Sequence, residues 1–340
     1  MSNEMNKISV VILNWNGADM MRRFLPSVIE HSPEADIVVA DNGSTDETLQ
    51  MLASEFPQIK VIAFDKNYGF AEGYNRALEQ IDTPYTILLN NDVEVTPDWL
   101  QPLLTFMDSH PEAAACQPKL LNEQRRDHFE YAGACGGFID WLGYPYCRGR
   151  VFSVVEKDNG QYDEPLPVFW ATGAALLVRT ALYKEVGGLD TRFFAHQEEI
   201  DLCWRLRSRG HQIWCIPQSK VYHVGGATLN QSNPRKTFLN FRNNLLMLYK
   251  NLPQGELQYV LMWRYVLDYL AALQMILGGR ADEAKAVRQA RREFTRTCNQ
   301  FDADRQRNIH ATTVETIPEI RSSSLLWAFY ILRRRKYSQL

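Results

Sequence analysis

Four groups of side chains could carry chemistry in this chain. Asn90-Asn91-Asp92 follows the apolar run Thr86–Leu89. An Asn-x-Asp at a strand end either closes an Asx turn or offers hard oxygen ligands, which suit Mg2+ or Mn2+ bridging two phosphates. Asp41 opens Asp41-Asn42-Gly43-Ser44-Thr45-Asp46. Asn-Gly makes the turn there, and Ser44 or Thr45 can cap the helix that follows. The Asp41 carboxylate can also accept the ring N–H of a uracil or thymine. Glu198, Glu199 and Asp201 open a helix-compatible stretch, where the macrodipole favours negative charge. Any of the three could act as base towards a hydroxyl, and spacing does not choose among them. His223, in Val221-Tyr222-His223-Val224-Gly225-Gly226, is a hydrogen-bonded structural residue or a metal or phosphate ligand.

Positioning these groups requires a sheet. Lys7–Leu13, Ile37–Ala40, Lys60–Phe64 and Tyr85–Leu89 are short β-branched, apolar runs, separated by helix-compatible Asp19–His31, Thr45–Phe56 and Ala71–Ile81. Strands alternating with helices predict βαβ units and a parallel sheet. Each strand ends in polar sequence: Asn14-Trp15-Asn16-Gly17, Asp41-Asn42-Gly43, Asp65-Lys66-Asn67 and Asn90-Asn91-Asp92. Ligands of open α/β sheets bind beyond the carboxyl ends of the strands, so these ends point to one cleft, with Asn14, Asn16, Asn90 and Asn91 as ligand-binding candidates. Residues 121–167, rich in Gly, Tyr and Asp, read as a loop-rich insertion that could face an acceptor. Val168–Val178 and Gln212–Pro217 read as strands around a helix at Glu199–Arg209, with Thr172-Gly173-Ala174 lining the donor or acceptor pocket. From Asn233 the sequence predicts helices at Arg235–Asn251, Leu257–Leu277 and Ala281–Asn299, then a short one at Leu325–Arg335. The expected division is a catalytic domain at 1–232 and a helical, basic region at 233–340.

The composition of this 340-residue chain, 45% hydrophobic and 23% charged, is that of a globular protein. Its net charge of −3 hides an asymmetry. Residues 233–340 hold 18 Lys and Arg against 9 Asp and Glu, while the preceding part holds 19 against 31. An acidic front needs a cation if it is to hold a phosphate, and a basic back suits an anionic surface. The six cysteines never approach CxxC spacing, which excludes zinc-ribbon and thioredoxin readings and predicts buried, unpaired thiols in a reducing cytosol. MSNEMNKISVVILNW lacks the basic and long apolar segments of a signal peptide, so the chain is expected to begin directly with a strand.

In order, VVILNWNG, VADNGSTDET, NYGFAEGYNRAL, LLNNDVEV, WATGAALLVRTALYKEVGGLD, FFAHQEEIDLCWRLRSRG and VYHVGG resemble glycosyltransferase family 2, the inverting GT-A enzymes, and within it the rhamnosyltransferase-like branch. The resemblance covers roughly residues 7–226. It implies an α/β, Rossmann-like fold for nucleotide-diphospho-sugar transfer, followed here by the C-terminal helices. It implies that Asp41 contacts the nucleobase, that Asn67 lies in the nucleotide pocket, and that Asn90-x-Asp92 is the DXD-type motif with Asp92 on a Mg2+ or Mn2+ ion. It places Glu199 at the catalytic-base position and His223 near metal and diphosphate. Two departures stand out: Asn90 replaces the first Asp of the motif, and Glu199 replaces the usual Asp, a base one methylene longer.

A dinucleotide-binding enzyme would show G-x-G-x-x-G after the first strand, where Asn14-Trp15-Asn16-Gly17 stands instead. A sugar-phosphate nucleotidyltransferase would need a glycine-rich basic loop there. A non-catalytic, membrane-peripheral scaffold retaining the fold is the alternative that only an assay of transfer separates. The expected partners are a nucleotide-diphosphate sugar, a glycan or lipid-linked acceptor in cell-surface polysaccharide or glycolipid synthesis, and an anionic membrane surface, with no nucleic acid. Leu257–Leu277 is apolar enough to span a bilayer, but Arg264 and Asp268 near its middle, four apart, can pair on one face of an interfacial or protein-packed helix. Lys285, Arg288, Arg291, Arg292 and Arg296 follow, and Leu325–Tyr330 precedes Arg333-Arg334-Arg335-Lys336. Aromatic residues beside basic clusters suit an anionic leaflet, which places the protein in the cytoplasm, peripheral at the inner face of the plasma membrane.

Overall fold

The computed structural model describes residues 6–225 and 233–340; residues 1–5 and 226–232, including Gly226 of the Val221–Gly226 run and the residues before the 232/233 boundary, lie outside the described residues. The first half alternates as expected: β1 (Ile8–Asn14), α1 (Ala18–Glu30), β2 (Ala35–Asp41), α2 (Thr48–Glu55), β3 (Lys60–Ala63), α3 (Gly69–Leu78) and β4 (Tyr85–Asn90). These four strands are parallel, in the order β3-β2-β1-β4. Along β1, Ile8, Val10 and Ile12 enter one core cluster and Val11 the other. Helices cover both faces of the sheet, so its central strands read as continuous apolar runs.

The chain continues through β5 (Val93–Val95), α4 (Leu100–Ser109) and β6 (Ala113–Asn122). Next come β7 (Gly137–Asp140), β8 (Pro145–Cys147), β9 (Arg150–Val151) and β10 (Val154–Val155). After β11 (Leu166–Val168) follow β12 (Ala175–Arg179), α5 (Thr180–Glu185), α6 (Glu198–Ser208) and β13 (Gln212–His223). The main sheet runs β11-β13-β6-β12-β4-β1-β2-β3, with β5 paired to the end of β13. Among the described residues of this sheet, only β11, β12 and β5 run antiparallel to their neighbours. The run read as one strand at Val168–Val178 is split, and the Thr172-Gly173-Ala174 turn between β11 and β12 stands at the end of β4, where Asn90 N–H donates to the Ala174 carbonyl at 3.0 Å.

Residues 121–167 are more ordered than a loop-rich insertion. They begin inside β6 and build a second sheet, β10-β9-β8-β7, to which β14 (Ile320–Arg321) adds in parallel from the far end of the chain. Asp140 staples this sheet, its buried carboxylate accepting N–H bonds from Leu142, Tyr144 and Leu325 at 3.1, 2.9 and 2.8 Å. Burial pushes that carboxyl up to about 6.

The helical region comprises α7 (Pro234–Asn251), α8 (Gln254–Leu277), α9 (Ala281–Thr297) and α10 (Asp302–His310). The short helix expected at Leu325–Arg335 is a π-helical turn, Trp327–Ile331. All six cysteines are free thiols, five of them buried and Cys298 half-buried.

Candidate active site

The polar strand ends of β1, β2 and β4 meet in one hydrogen-bonded layer. Asn14, fully buried at the end of β1, donates to Thr48 Oγ1 at 3.3 Å and accepts from Asn91 Nδ2 at 2.7 Å. Gly17 makes this layer possible, because a Cβ there would sit 2.4 Å from Asn14 Oδ1 and 2.5 Å from Asn91 Nδ2. Asn16 turns its side-chain Oδ1 to the Thr45 and Asp46 amides at 2.7 and 3.3 Å, which ties the β1 end to the β2–α2 turn. Asn42 continues the layer: its amide donates to Asn67 Oδ1 at 3.1 Å and to the Gly69 carbonyl at 3.0 Å.

Asp41 is buried at the tip of β2. One carboxylate oxygen accepts the Ser44 N–H at 3.0 Å, and the other has no partner among the described residues. An unpartnered buried carboxylate oxygen is costly unless a ligand N–H completes it.

At the end of β4, Asn90 and Asp92 converge on His223 from the end of β13. Asp92 Oδ1 lies 3.0 Å from His223 Nε2, and Asn90 Nδ2 is 3.3 Å from the same nitrogen. Behind the ring, Glu130 Oε1 stands 3.4 Å from His223 Nδ1, while Glu130 Oε2 accepts the Ala132 and Gly133 amides at 2.6 and 2.9 Å. Among the described residues no group of three or more His, Cys, Asp and Glu side chains is arranged to hold a metal ion.

Across the Thr172–Ala174 turn stands the start of α6. A Cβ on Gly173 would lie 3.8 Å from the Glu199 Cβ and 3.2 Å from the Phe70 ring at the start of α3. Of the three acidic residues there, Asp201 is committed to the fold. It accepts from Arg205 and Lys250 at 2.9 and 2.8 Å and from Asn251 at 2.8 Å. Glu198 and Glu199 each keep one buried oxygen without a partner among the described residues.

The model of the family described as Glycosyl transferase family 2 matches residues 9–182, just over half of the chain. The chain belongs to glycosyltransferase family 2. It is 27% identical over 235 residues to an N-acetylglucosaminyl-diphospho-decaprenol L-rhamnosyltransferase of Mycobacterium tuberculosis, covering 64% of this chain and 75% of the relative. The fold is GT-A. It resembles that of GalNAc-T7 solved with UDP, GalNAc and Mn2+ (TM-score 0.58, 18% identity), covering 74% of this chain and 49% of the other. It also resembles a mannosyltransferase of Pyrobaculum calidifontis solved with GDP-Man and Mn2+ (TM-score 0.52, 12% identity, 91% and 86% covered).

Within this glycosyltransferase the electrostatics differ on the two sides of the cleft. Burial opposes charge on His223, but Asp92 and Glu130 outweigh it and raise the imidazole to about 10. Asp92 is likewise opposed by burial and ends below the usual carboxylate range because of His223. On the other side, burial acts without a pairing cation among the described residues. It pushes Glu199 up to about 7 and, with Glu199 beside it, raises Glu198 well above its ordinary value.

Glu130 is the residue at this site that the sequence did not reveal. It lies in a segment without strand or helix period, 93 positions before the histidine it contacts, and no local pattern marks it. Asn42 was visible only as half of an Asn-Gly turn, although its side chain links Asn67 to the Gly69 carbonyl.

Proposed function

We propose that this glycosyltransferase moves a sugar from a nucleoside diphosphate onto an acceptor hydroxyl with inversion, in cell-surface polysaccharide or glycolipid synthesis. The observation that carries the reading is the pairing of Asp92–His223 on one side of the Gly173 turn with the half-satisfied, raised Glu199 carboxyl on the other. Asp41 would accept the nucleobase N–H with its open oxygen, and Asn67 and Asn91 would border the nucleotide. Asn90 would steady His223.

Asp92 and His223 fit a divalent cation in part. The Asp92 carboxylate is a hard oxygen ligand suited to Mn2+ or Mg2+, and His223 would add a nitrogen. Glu130 stands 3.4 Å behind the far ring nitrogen, where outer carboxylates orient ligating histidines, and the diphosphate would supply the remaining oxygens. Holding the ion requires His223 to give up the proton now shared with Asp92. When bound, the cation offsets negative charge on the leaving diphosphate. Glu199 takes the proton of the acceptor hydroxyl as that oxygen attacks the anomeric carbon from the face opposite the diphosphate. One C–O bond forms as the other breaks, so the centre inverts. A single carboxylate suffices, unlike the pair that glycosidases use.

Release of nucleoside diphosphate from a panel of UDP-, TDP- and GDP-sugars, with Mn2+ or with chelator, tests this. The expected result is one active donor, loss of activity with chelator, and a product of inverted anomeric configuration by NMR. Chelator-resistant transfer would remove the cation, a retained configuration would remove the single displacement, and no turnover on any donor would return the scaffold reading.

We further propose that the protein sits on the cytoplasmic face of an anionic membrane. α8 is 24 residues long, and its most apolar 18-residue stretch has mean hydropathy 1.4, long and apolar enough to cross a bilayer by those measures. Its charged pair is turned inward: Arg264 and Asp268 are buried, and Arg291 of α9 reaches Asp268 at 2.6 Å. Its outer face exposes Met262, Trp263, Val266, Leu270, Leu273 and Leu277. Aromatic contacts run from α8 across the second sheet: Tyr259 on Trp141, Tyr144 to Phe152, and Phe152 to Phe329 and Tyr330. Exposed Arg333, Arg334, Arg335 and Lys336 follow. One apolar, aromatic and basic surface suits the interface of anionic lipid, and a helix held by its polar face to α9 suits docking better than spanning. Flotation with phosphatidylglycerol vesicles should depend on anionic lipid and weaken with salt. Salt-insensitive association released only by detergent would mean a span, and failure to float would mean a soluble cap.

A further inference from the structure

Between the 3₁₀ turn Thr191–Phe193 and α6, the chain makes a bend that L-residues avoid. Phe194, His196 and Gln197 all lie at positive φ, +66°, +72° and +74°. Such residues persist only where the surroundings hold them. What holds them comes from another part of the chain, helix α7. The carboxamide of Asn243, fully buried, donates to the carbonyls of Phe193, Ala195 and His196 at 2.9, 2.9 and 2.8 Å. Arg242 adds 3.1 Å bonds to the Arg192 and Phe193 carbonyls, and Asn244 donates to the Gln197 side chain at 3.1 Å. The Phe194 carbonyl goes instead to the Phe70 N–H at the start of α3, at 3.2 Å, and that of Gln197 to Asp201 N–H within α6. Every carbonyl from Phe193 to Gln197 thus has its donor, and one side chain supplies three of the five.

We propose that Asn243 is a positioning residue for sugar transfer, its carboxamide fixing the left-handed bend that delivers Glu199 to the cleft. The inference rests on Glu199 being the base. α7 lies outside residues 9–182, so this part of the site is completed by the C-terminal helices. The amide is chemically specific: it shares two uncharged N–H groups among three carbonyl oxygens, which an aspartate of the same shape would face with no donor. Among the described residues the bend meets the nucleotide side at the start of α3, where Phe194 lies against Gly69 and bonds the Phe70 N–H. The hydrogen bonds of Asn243 reach neither, so its loss should separate turnover from donor binding.

The experiment compares wild type, Asn243→Ala, Glu199→Gln and the double variant, with Asn243→Ser substituting where Asn243→Ala does not fold. Turnover is read as nucleoside diphosphate release from UDP- and TDP-sugars with Mn2+, and binding as UDP and TDP calorimetry. Displacing a catalytic group by about 1 Å costs on the order of 10² in rate. Asn243→Ala should therefore lower kcat about 10- to 100-fold and leave nucleotide affinity unchanged. The acid limb of its pH profile should move to lower pH, as a loosened bend lets water reach Glu199. In the Glu199→Gln background the same substitution should cost little, because the two act as one unit. Undiminished kcat in a folded Asn243→Ala protein, or an undiminished cost in the Glu199→Gln background, overturns the proposal. Full turnover by Glu199→Gln alone overturns the base assignment instead, and is distinguishable from both.

Discussion

Single atoms of this cleft make separable demands. Asp41 presents one open carboxylate oxygen and has no other visible use for it. A hydrogen bond to a charged acceptor contributes about 1.5–3 kcal/mol, so Asp41→Ala should weaken UDP or TDP binding roughly 10- to 100-fold, measured by calorimetry. Unchanged affinity, or a native preference for GDP, would remove the nucleobase role. Asp92→Ala should lower transfer by on the order of 10³, the scale of several kcal/mol of charge stabilisation. It should also abolish the Mn2+ dependence of donor binding, and full metal-dependent activity in that variant would sink the assignment. The structure also sets Asp201 apart from the two glutamates that spacing left equivalent to it. Asp201 neutralises buried Arg205 and Lys250, and breaking a buried ion pair from one side costs about 3–5 kcal/mol. Asp201→Ala should therefore shift the urea midpoint strongly downward. An Asp201→Ala protein of native stability would mean that this network holds nothing.

At the scale of elements, the alternating half of the chain was legible because its physics is local. β1 to β4 are apolar on both faces and end in turn-forming residues, so composition and punctuation located them within a few positions. β6 escaped because Gln117, Pro118 and Lys119 interrupt its apolar run. All ten of its residues but the last are nevertheless buried, and Lys119 is neutralised by Asp158 and Asp163, which lie far along the chain. Such partners leave no local trace. α10 was invisible for a related reason: its sequence, DADRQRNIH, has no apolar period, and it is held by polar bonds such as Asn308 to Asn251 at 3.1 Å. The second sheet was read as loop because its strands are two to four residues long and its last member comes from residue 320. The Asn243 clamp shares that character. Its donors and acceptors are nearly fifty residues apart, and a lone asparagine in a helix announces nothing.

The charge asymmetry between the two parts of the chain means less in the folded molecule than along the sequence. On α9, Lys285, Arg291 and Arg296 pair with Asp282, Asp268 and Glu293, so much of that positive charge is spent internally. The basic residues free to meet anionic lipid concentrate at 333–336, beside the exposed Trp327, Tyr330, Ile331 and Leu332. Deleting the whole tail would confuse this test, because Leu325 and Ala328 are buried and Leu325 bonds Asp140. Leu270→Glu with Leu273→Glu changes only exposed positions of α8. That pair should reduce vesicle binding while leaving nucleoside diphosphate release from the donor in solution unaltered. Undiminished flotation would remove α8 from the docking surface.

The central claim is that Glu199 is the base, and kcat/KM for transfer as a function of pH, wild type against Glu199→Gln, tests it most directly. Burial holds the Glu199 carboxyl at about 7. With Mn2+ saturating, so that His223 has already given up its proton, the enzyme must lose only the Glu199 proton to act, and kcat/KM should rise with pH through a limb near 7 and then level off. Glu199→Gln should show no such limb, turnover lower by about 10²–10⁴, and nucleotide affinity equal to wild type. A Glu199→Gln protein that keeps both its rate and its limb, with Glu198→Gln losing them, would contradict the account and move the chemistry one residue along the helix.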